Sequence, residues 1–489
     1  MFPMFKKYDQ KQQFLLPLNL EEFVSKDHIS RVINELFDVV DISPIESTYS
    51  EEGCPAYHPG LLLKILFYGY QINIRSSRKI EGMTETDTAF MYLAAMQKPD
   101  FHTICRFRST HLDSIKEIFS QIVMLCKGMG LIGSSISIDG TKVKANASPK
   151  QSKSSDAIEK EIDKILKESI ETDEREDQIY GDSTPYKMPE ELVDKKYRLE
   201  KIKAAKKKMD EEKLKKVNIT DPDAKIMKHK DGSKKPSYNC QVAVDEKEQI
   251  IVAADLVDEE NDLHQIEPMI ENVKETLGYK PTIVLADAGY FSYDNVQFLL
   301  DEEIDAYIPD NFYEVEKRGK TKKFRKLLFT YDEKKDFYYC PAAFEIPFTR
   351  IQKRENEPYC SLCVLKDACT DSKNRTITRD PREHLMEDMR AKLNTEEGTE
   401  QYQKRMCTVE PVFGQMKQDR GFREFLLREK RKTKIEFLMM CTVHNIKKIA
   451  DFMKRKIKSL KEILNMITGG GSQSWNERGI LARIANMLC

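Results

Sequence analysis

The sequence predicts an α/β protein: a mixed sheet flanked by helices, preceded by an all-α segment and interrupted by two insertions. Three observations carry this reading. Apolar residues recur at helical spacing as far as about residue 133, and from Ser134 the period falls to two. Strand and helix patterns then alternate through 236–310. The alternation is broken once by a run dominated by Lys, Glu and Asp (148–235) and once by a cysteine-bearing stretch (311–400). A chain of 489 residues is too long for one ordinary core, and several domains are expected.

The elements follow in order. Ile29, Val32, Ile33, Leu36, Phe37 and Val40 mark an amphipathic helix with Asp27 as its expected N-cap. Pro59 opens an apolar helix through Leu66, at a position where its missing N–H does no harm. Two further helices, 86–96 and 103–125, flank a turn at 97–101 and put Arg106 and Arg108 near the start of the second. That arrangement suits reading of DNA, and equally a helical bundle with surface arginines. The first strand alternates from Ser135 to Asp139 and continues toward Ala145. The charged run reads either as a helical hairpin or as a solvated insertion. The hairpin would break at 181–185 and carry a thin seam of Ile158, Ile162, Ile165, Leu192, Tyr197 and Leu199. Strands at 238–244 and 249–257 form a hairpin, followed by a helix at 263–277 and a strand at 282–286. A helix from Tyr293 and a strand at 305–308 complete the pattern. The resulting segments are 1–133 (helical, DNA-binding), 134–147 (first part of the core), 148–235 (charged insertion) and 236–310 (central core). After them come 311–400 (cysteine insertion), 401–455 (an acidic helix and basic core) and 456–489 (a tail). The tail carries Trp475 after the flexible linker 469–472.

Composition narrows the function. With 33% charged residues, a mean hydropathy of −0.58 and no apolar run near the ~20 residues of a membrane span, a membrane partner is not expected. The amino terminus has no apolar core with a cleavage site, so a cytoplasmic protein is expected. A reducing compartment suits eleven cysteines that form no regular disulfide framework. The net charge is −1, but between Lys417 and Lys434 eight basic residues face three acidic ones. The distribution, more than the sum, bears on nucleic-acid binding.

Three carboxylates are candidates for chemistry. Asp139 and Asp287 each end a short apolar run, and Glu410 lies on a helical segment followed by Lys417, Arg420 and Arg423. Singly, each has an ordinary reading: Asp-Gly marks a turn, and an acidic residue suits a helix start. Jointly they supply what two divalent ions need to activate water and stabilise an in-line phosphoryl displacement. Cys340, Cys360, Cys363 and Cys369 form a second constellation, a Cys-x2-Cys knuckle with a Cys on either side. Four thiolates suit structural zinc in a small loop-rich unit and leave no open position for catalysis.

Residues 409–417 (VEPVFGQMK), 421–422 (GF) and 441–446 (CTVHNI) resemble the carboxy-terminal signature of DDE transposases of bacterial insertion sequences. Residues 238–245 (YNCQVAVD), 261–264 (NDLH) and 286–290 (ADAGY) are similar to the central domain of that family, and 58–131 to its amino-terminal helical domain. The resemblance spans roughly residues 10–455. It implies an RNase H-like core with a zinc-ribbon-like insertion, and it maps the triad onto Asp139, Asp287 and Glu410, with Asp139 bridging two Mg²⁺ (or Mn²⁺). It further implies strand cleavage at terminal inverted repeats, transfer of the 3′-OH into target DNA, and a homodimer holding two ends in a nucleoid-associated complex. Lys417, seven residues after Glu410, matches the family's Lys, and Arg420 would join it on phosphate. Tyr402 and Arg405 stand where related enzymes carry a Tyr and an Arg, with Arg405 one residue further from Glu410 than the commonest pattern. A nuclease that joins nothing, and a DNA-binding protein that has lost catalysis, are the alternatives.

Overall fold

A computed structural model describes residues 19–50, 55–180, 190–318, 323–346, 348–350, 353–355, 360, 362–372, 374–456, 460 and 462–463. The break at 181–185, Leu192 of the seam, Cys54, Cys489 and the 469–489 tail with Trp475 lie outside the residues and side chains described. Two compact units divide the chain: 132–143 with 225–414, and 1–131 with 144–224 and 415–489.

The first unit is built on a six-stranded sheet: β1 Ser135–Lys144, β2 Lys225–Lys228, β3 Lys234–Asp245, β4 Ile251–Val257, β5 Ile283–Ala286 and β6 Asp305–Tyr307. Its order is β2-β3-β1-β5-β6, with β4 also paired to β3. β3 runs antiparallel to β2 and β4, whereas β1, β5 and β6 are parallel to one another. The strands are β-branched and apolar, and the central ones are buried on both faces: Val242, Ala243, Val284, Leu285 and Ala286 have no exposed surface. Burying each large aliphatic side chain stabilises the fold by about 1.5–3 kcal/mol. Helix Ile266–Leu277 lays Ile266, Met269, Ile270, Val273 and Leu277 against β4 and ends at Gly278, whose φ of 77° suits a left-handed C-cap. Helix Tyr293–Asp301 follows β5, capped by Ser292.

Short strands follow in the cysteine region. Thr330–Asp332, Phe337–Tyr339 and Glu345–Ile346 form one antiparallel sheet. Phe348–Arg350, Lys353–Glu355 and Thr376–Ile377 form another. Their small core is Phe329, Tyr338, Ile346 and Ile377, with Cys340 and Cys369 packed against it. Helices Glu383–Leu393 and Glu396–Gly414 then return the chain to the main sheet.

The other unit is helical. Helix Pro59–Gln71 is buried on nearly every side from Leu61 to Tyr70, and the long helix Lys430–Lys456 packs on it and on helix Leu112–Gly128. The first amphipathic helix, Ile29–Phe37, is capped by His28 rather than Asp27, because the His28 ring nitrogen accepts from the Ser30 N–H. The expected 86–96 helix is shorter, Thr88–Leu93, and the expected 103–125 helix is divided. Asp87 caps Thr88–Leu93 by accepting two backbone N–H groups, and His111 separates Phe101–Thr110 from Leu112–Gly128. The charged run forms helices Ser155–Tyr180 and Glu190–Glu211 joined through a real seam of Ile158, Ile165, Ile202, Ala205 and Met209. Tyr197, expected in that seam, is 60% exposed and lies under Lys201 instead. No helix among the described residues is long and apolar enough to cross a membrane.

Candidate active site

Parallel pairing sets the first two carboxylates side by side. Ser137 lies opposite Leu285 and Ile138 opposite Ala286, so the next residues in register are Asp139 and Asp287. Adjacent strands run ~4.8 Å apart, which brings the two side chains within reach of one another. Asp139 is not in a turn: β1 runs through it and through Gly140 to Lys144. Asp287 ends β5 and caps the turn that follows, accepting from the Gly289 N–H at 2.9 Å.

Glu410 comes from helix Glu396–Gly414, and the chain positions that helix by an unusual device. Pro411 lies inside it and has no N–H for the Cys407 carbonyl four residues back. The Gln249 side-chain amide, from the turn between β3 and β4, donates to that carbonyl at 2.7 Å. Lys404, on the same helix, pairs with Glu246 of the same turn at 3.1 Å. The helix is thereby tied to the sheet at the turn before its acidic residue.

Arg405 occupies the centre. Its guanidinium lies 3.7 Å from Asp139, 3.9 Å from Asp287 and 3.7 Å from Glu410. The Arg405 side chain is 11% exposed, against 15% for Asp139, 38% for Asp287 and 52% for Glu410. Tyr402, one turn earlier, hydrogen-bonds the guanidinium, while Nη1 is buried with no hydrogen-bond partner. Burial pushes the Asp139 carboxyl up to about 7, opposed by Arg405 and reinforced by Asp287. Burial lowers the Arg405 pKa, but the surrounding acidic groups more than offset it, for a net rise.

A fourth carboxylate completes the site and went unassigned in the sequence reading. Asp262 accepts from Asn239 at 2.7 Å and from Gln241 at 2.6 Å, and Gln241 in turn accepts from the buried Tyr290 hydroxyl. Burial raises the Asp262 pKa, with Asp287 adding to the rise against the two amide donors. Gly140 is required beneath this network. A Cβ there would lie 2.5 Å from Gln241 Nε2 and 2.8 Å from Asp262 Oδ1. The signal was present as Asn239, Gln241, Asp262 and Tyr290 inside the quoted motifs, but no spacing rule joins them. His264, two residues on, is exposed on the turn before its helix.

Oxygen donors from three distant segments have the chemistry magnesium takes. As they stand, however, no three His, Cys, Asp or Glu side chains among the described residues are placed to hold a metal ion. The same holds for Cys340, Cys360, Cys363 and Cys369. Burial raises the Cys369 thiol pKa and the other three thiols add to the rise, so the four share one neighbourhood, and all are free. Cys363 N–H bonds the Cys360 carbonyl at 3.4 Å, and the Arg375 N–H meets Cys360 Sγ at 3.5 Å.

The basic candidates divide. Arg423 and Arg106 are exposed and Lys417 is half-buried. Arg108 and Arg420 require correction as surface phosphate contacts, for both are buried. Arg108 donates to the Arg75 carbonyl at 2.7 Å, and Arg420 lies 3.4 Å from Gln71 inside the helical unit. Their amphipathic arms fill the helical core, which the sequence spacing did not reveal. Lys417 also departs from the α-helical count. Residues Gln415–Asp419 form a π-helix, so seven residues from Glu410 are not two α-turns.

Two family models match this chain. Residues 340–450 match a transposase DDE domain, a span that opens at Cys340 and contains Arg405 and Glu410. Residues 18–110 match a transposase domain of the DUF772 type. No curated protein matches. The acidic helix and the amino-terminal helices thus carry transposase signatures independently, and the two matches together support a DDE transposase of insertion-sequence type.

Proposed function

We propose that this transposase cuts DNA at the terminal inverted repeats of its element and transfers the freed 3′-OH into target DNA. The observation that carries the reading is the convergence of Asp139, Asp287 and Glu410 on a single guanidinium. Three carboxylates from a strand interior, a strand end and a helix have no structural reason to share one site, since their mutual repulsion costs stability. Asp139, Asp287 and Glu410 would hold Mg²⁺ (or Mn²⁺), which when bound would supply the Lewis acidity and activated water of a two-ion displacement. Asp262, fixed by Asn239 and Gln241, sets the electrostatics behind Asp139 and Asp287. Lys417, Arg423 and Arg106 are the proposed phosphate contacts.

The strand order supports an RNase H-like reading of the core: a strand with antiparallel partners beside β1, then two strands parallel to it. Structural zinc on Cys340, Cys360, Cys363 and Cys369 is proposed from the donor set and from the shared neighbourhood of the thiols. A homodimer on paired DNA ends, acting at the nucleoid in the cytoplasm, follows from the need to hold two ends at once.

The test is cleavage and joining on a labelled duplex carrying the flanking inverted repeat, beside Asp139→Asn, Asp287→Asn and Glu410→Gln. A nick at the repeat end followed by joining, with each variant still binding DNA but losing at least about a hundred-fold in cutting, is expected. Cutting without end specificity or joining identifies a plain nuclease. Binding without cutting in either metal identifies a protein that has lost catalysis.

A further inference from the structure

We infer that Arg405 is a removable occupant of the metal site: it offsets part of the charge of Asp139, Asp287 and Glu410 in the metal-free enzyme and must leave for divalent ions to enter. The inference rests on the proposed metal role of these carboxylates and concerns what fills their space beforehand.

Three features point to displacement and not to permanent pairing. The first is position. Contacts of 3.7, 3.9 and 3.7 Å to three different carboxylates put the guanidinium where a shared cation would sit, and the carboxylates around it are not placed to hold a metal. Second, all three distances exceed hydrogen-bond length, and Nη1 is buried without any hydrogen-bond partner. A structural Arg–carboxylate pair closes to bidentate contact, as Arg390 does with Asp310 in this same unit. Arg405 is held by charge alone on that side, so little directional bonding is lost when it moves. Third, the charges disfavour coexistence. One guanidinium against three carboxylates leaves the cluster acidic and receptive, whereas a divalent ion admitted beside an Arg less than 4 Å from each carboxylate sets +2 against +1, with Arg405 and Asp139 themselves mostly buried. The side chain has a long flexible arm, and Tyr402, one turn back on the same helix, is its remaining hydrogen-bond partner. Metal affinity is then reduced by the stability of the arginine-occupied state, and an empty enzyme is kept from a costly bare acidic cluster.

Mn²⁺ binding to the full-length protein, followed by electron paramagnetic resonance and calorimetry, tests this with no need for activity. Arg405→Gln is expected to bind Mn²⁺ at least about ten-fold more tightly than wild type, to melt lower in chelator and to gain more in melting temperature on Mn²⁺ addition. Arg405→Lys, which keeps the charge, should stay near wild type. Equal or weaker Mn²⁺ binding by Arg405→Gln overturns the inference and makes the arginine part of the loaded site. Should the variant not fold, phenylglyoxal labelling of wild type decides. Arg405 is expected to be protected in chelator and labelled in saturating Mn²⁺, and unchanged labelling overturns displacement. If wild type and Asp139→Asn both fail to bind Mn²⁺, the metal reading falls and this inference with it. Binding by wild type with the wrong order among Arg405 variants sinks the inference alone.

Discussion

Asp139 shows how burial and partnership compete at one residue. Its carboxyl is pushed up to about 7 chiefly by burial, although Arg405 stands beside it. An unfolded Asp titrates near 3.9, so the folded state holds the proton more tightly. Stability from this group is therefore fully present below about pH 4 and is lost as pH rises through about 7. The metal-free enzyme is expected to lose on the order of 4 kcal/mol across that window from this residue, as an upper limit. Thermal melts in chelator at pH 5 and pH 8 check it: Asp139→Asn should narrow the difference between the two melting temperatures. A difference as large in the variant would assign the pH dependence to Asp262 or Asp245, whose pKa values burial also raises. Metal ligation requires the ionised carboxylate, so Mn²⁺ affinity should rise over the same interval.

Among elements, the cysteine insertion has a small core of its own: in its described residues, one cluster of Phe329, Tyr338, Ile346 and Ile377 with two of the candidate thiols packed on it. So small a core needs a further staple. If the four thiols hold the proposed zinc, its removal opens the strands at 330–346 and 376–377 while β1, β3 and β5 stay protected, which hydrogen exchange with and without a zinc chelator measures. Uniform exchange in both conditions would mean that the thiols hold no metal. The strands of the main sheet were legible because apolar alternation and burial coincide in β3, β4 and β5. Asp139 and Asp287 were legible for the same reason, being polar residues where apolar runs stop or reverse. What escaped were features made by tertiary contact. Asp262 depends on Asn239 and Gln241 arriving from another strand, and Gln249 caps a carbonyl orphaned by Pro411, 162 positions away. The π-helix at Gln415–Asp419 and the burial of Arg108 and Arg420 likewise have no local period to betray them. Neither does the Arg75–Glu436 pair, buried at 2.8 Å, whose carboxylate also receives the Leu426 and Leu427 N–H groups.

Across the whole molecule, charge is the property that composition conceals. A net charge of −1 coexists with a carboxy-terminal basic stretch in which eight cations face three anions. Affinity for DNA is set by cations that release counterions, so it depends on which of these reach the surface. Arg423 and Arg106 do; Arg108 and Arg420 do not. The two classes should therefore separate by kind of effect. Arg423→Ala and Arg106→Ala are each expected to lower the slope of log affinity against log salt by about one, with little change in melting temperature. Arg108→Ala should act in the opposite manner. It removes a buried guanidinium that holds the Arg75 carbonyl, so stability should fall by about 1–3 kcal/mol while the salt slope of the folded fraction is unchanged. Filter binding or fluorescence anisotropy from low to physiological salt, beside urea melts of the same proteins, distinguishes the two. A reduced slope for Arg108→Ala at full stability would mean that its guanidinium leaves the helical core to meet DNA, and that the surface in the bound state differs from the one described.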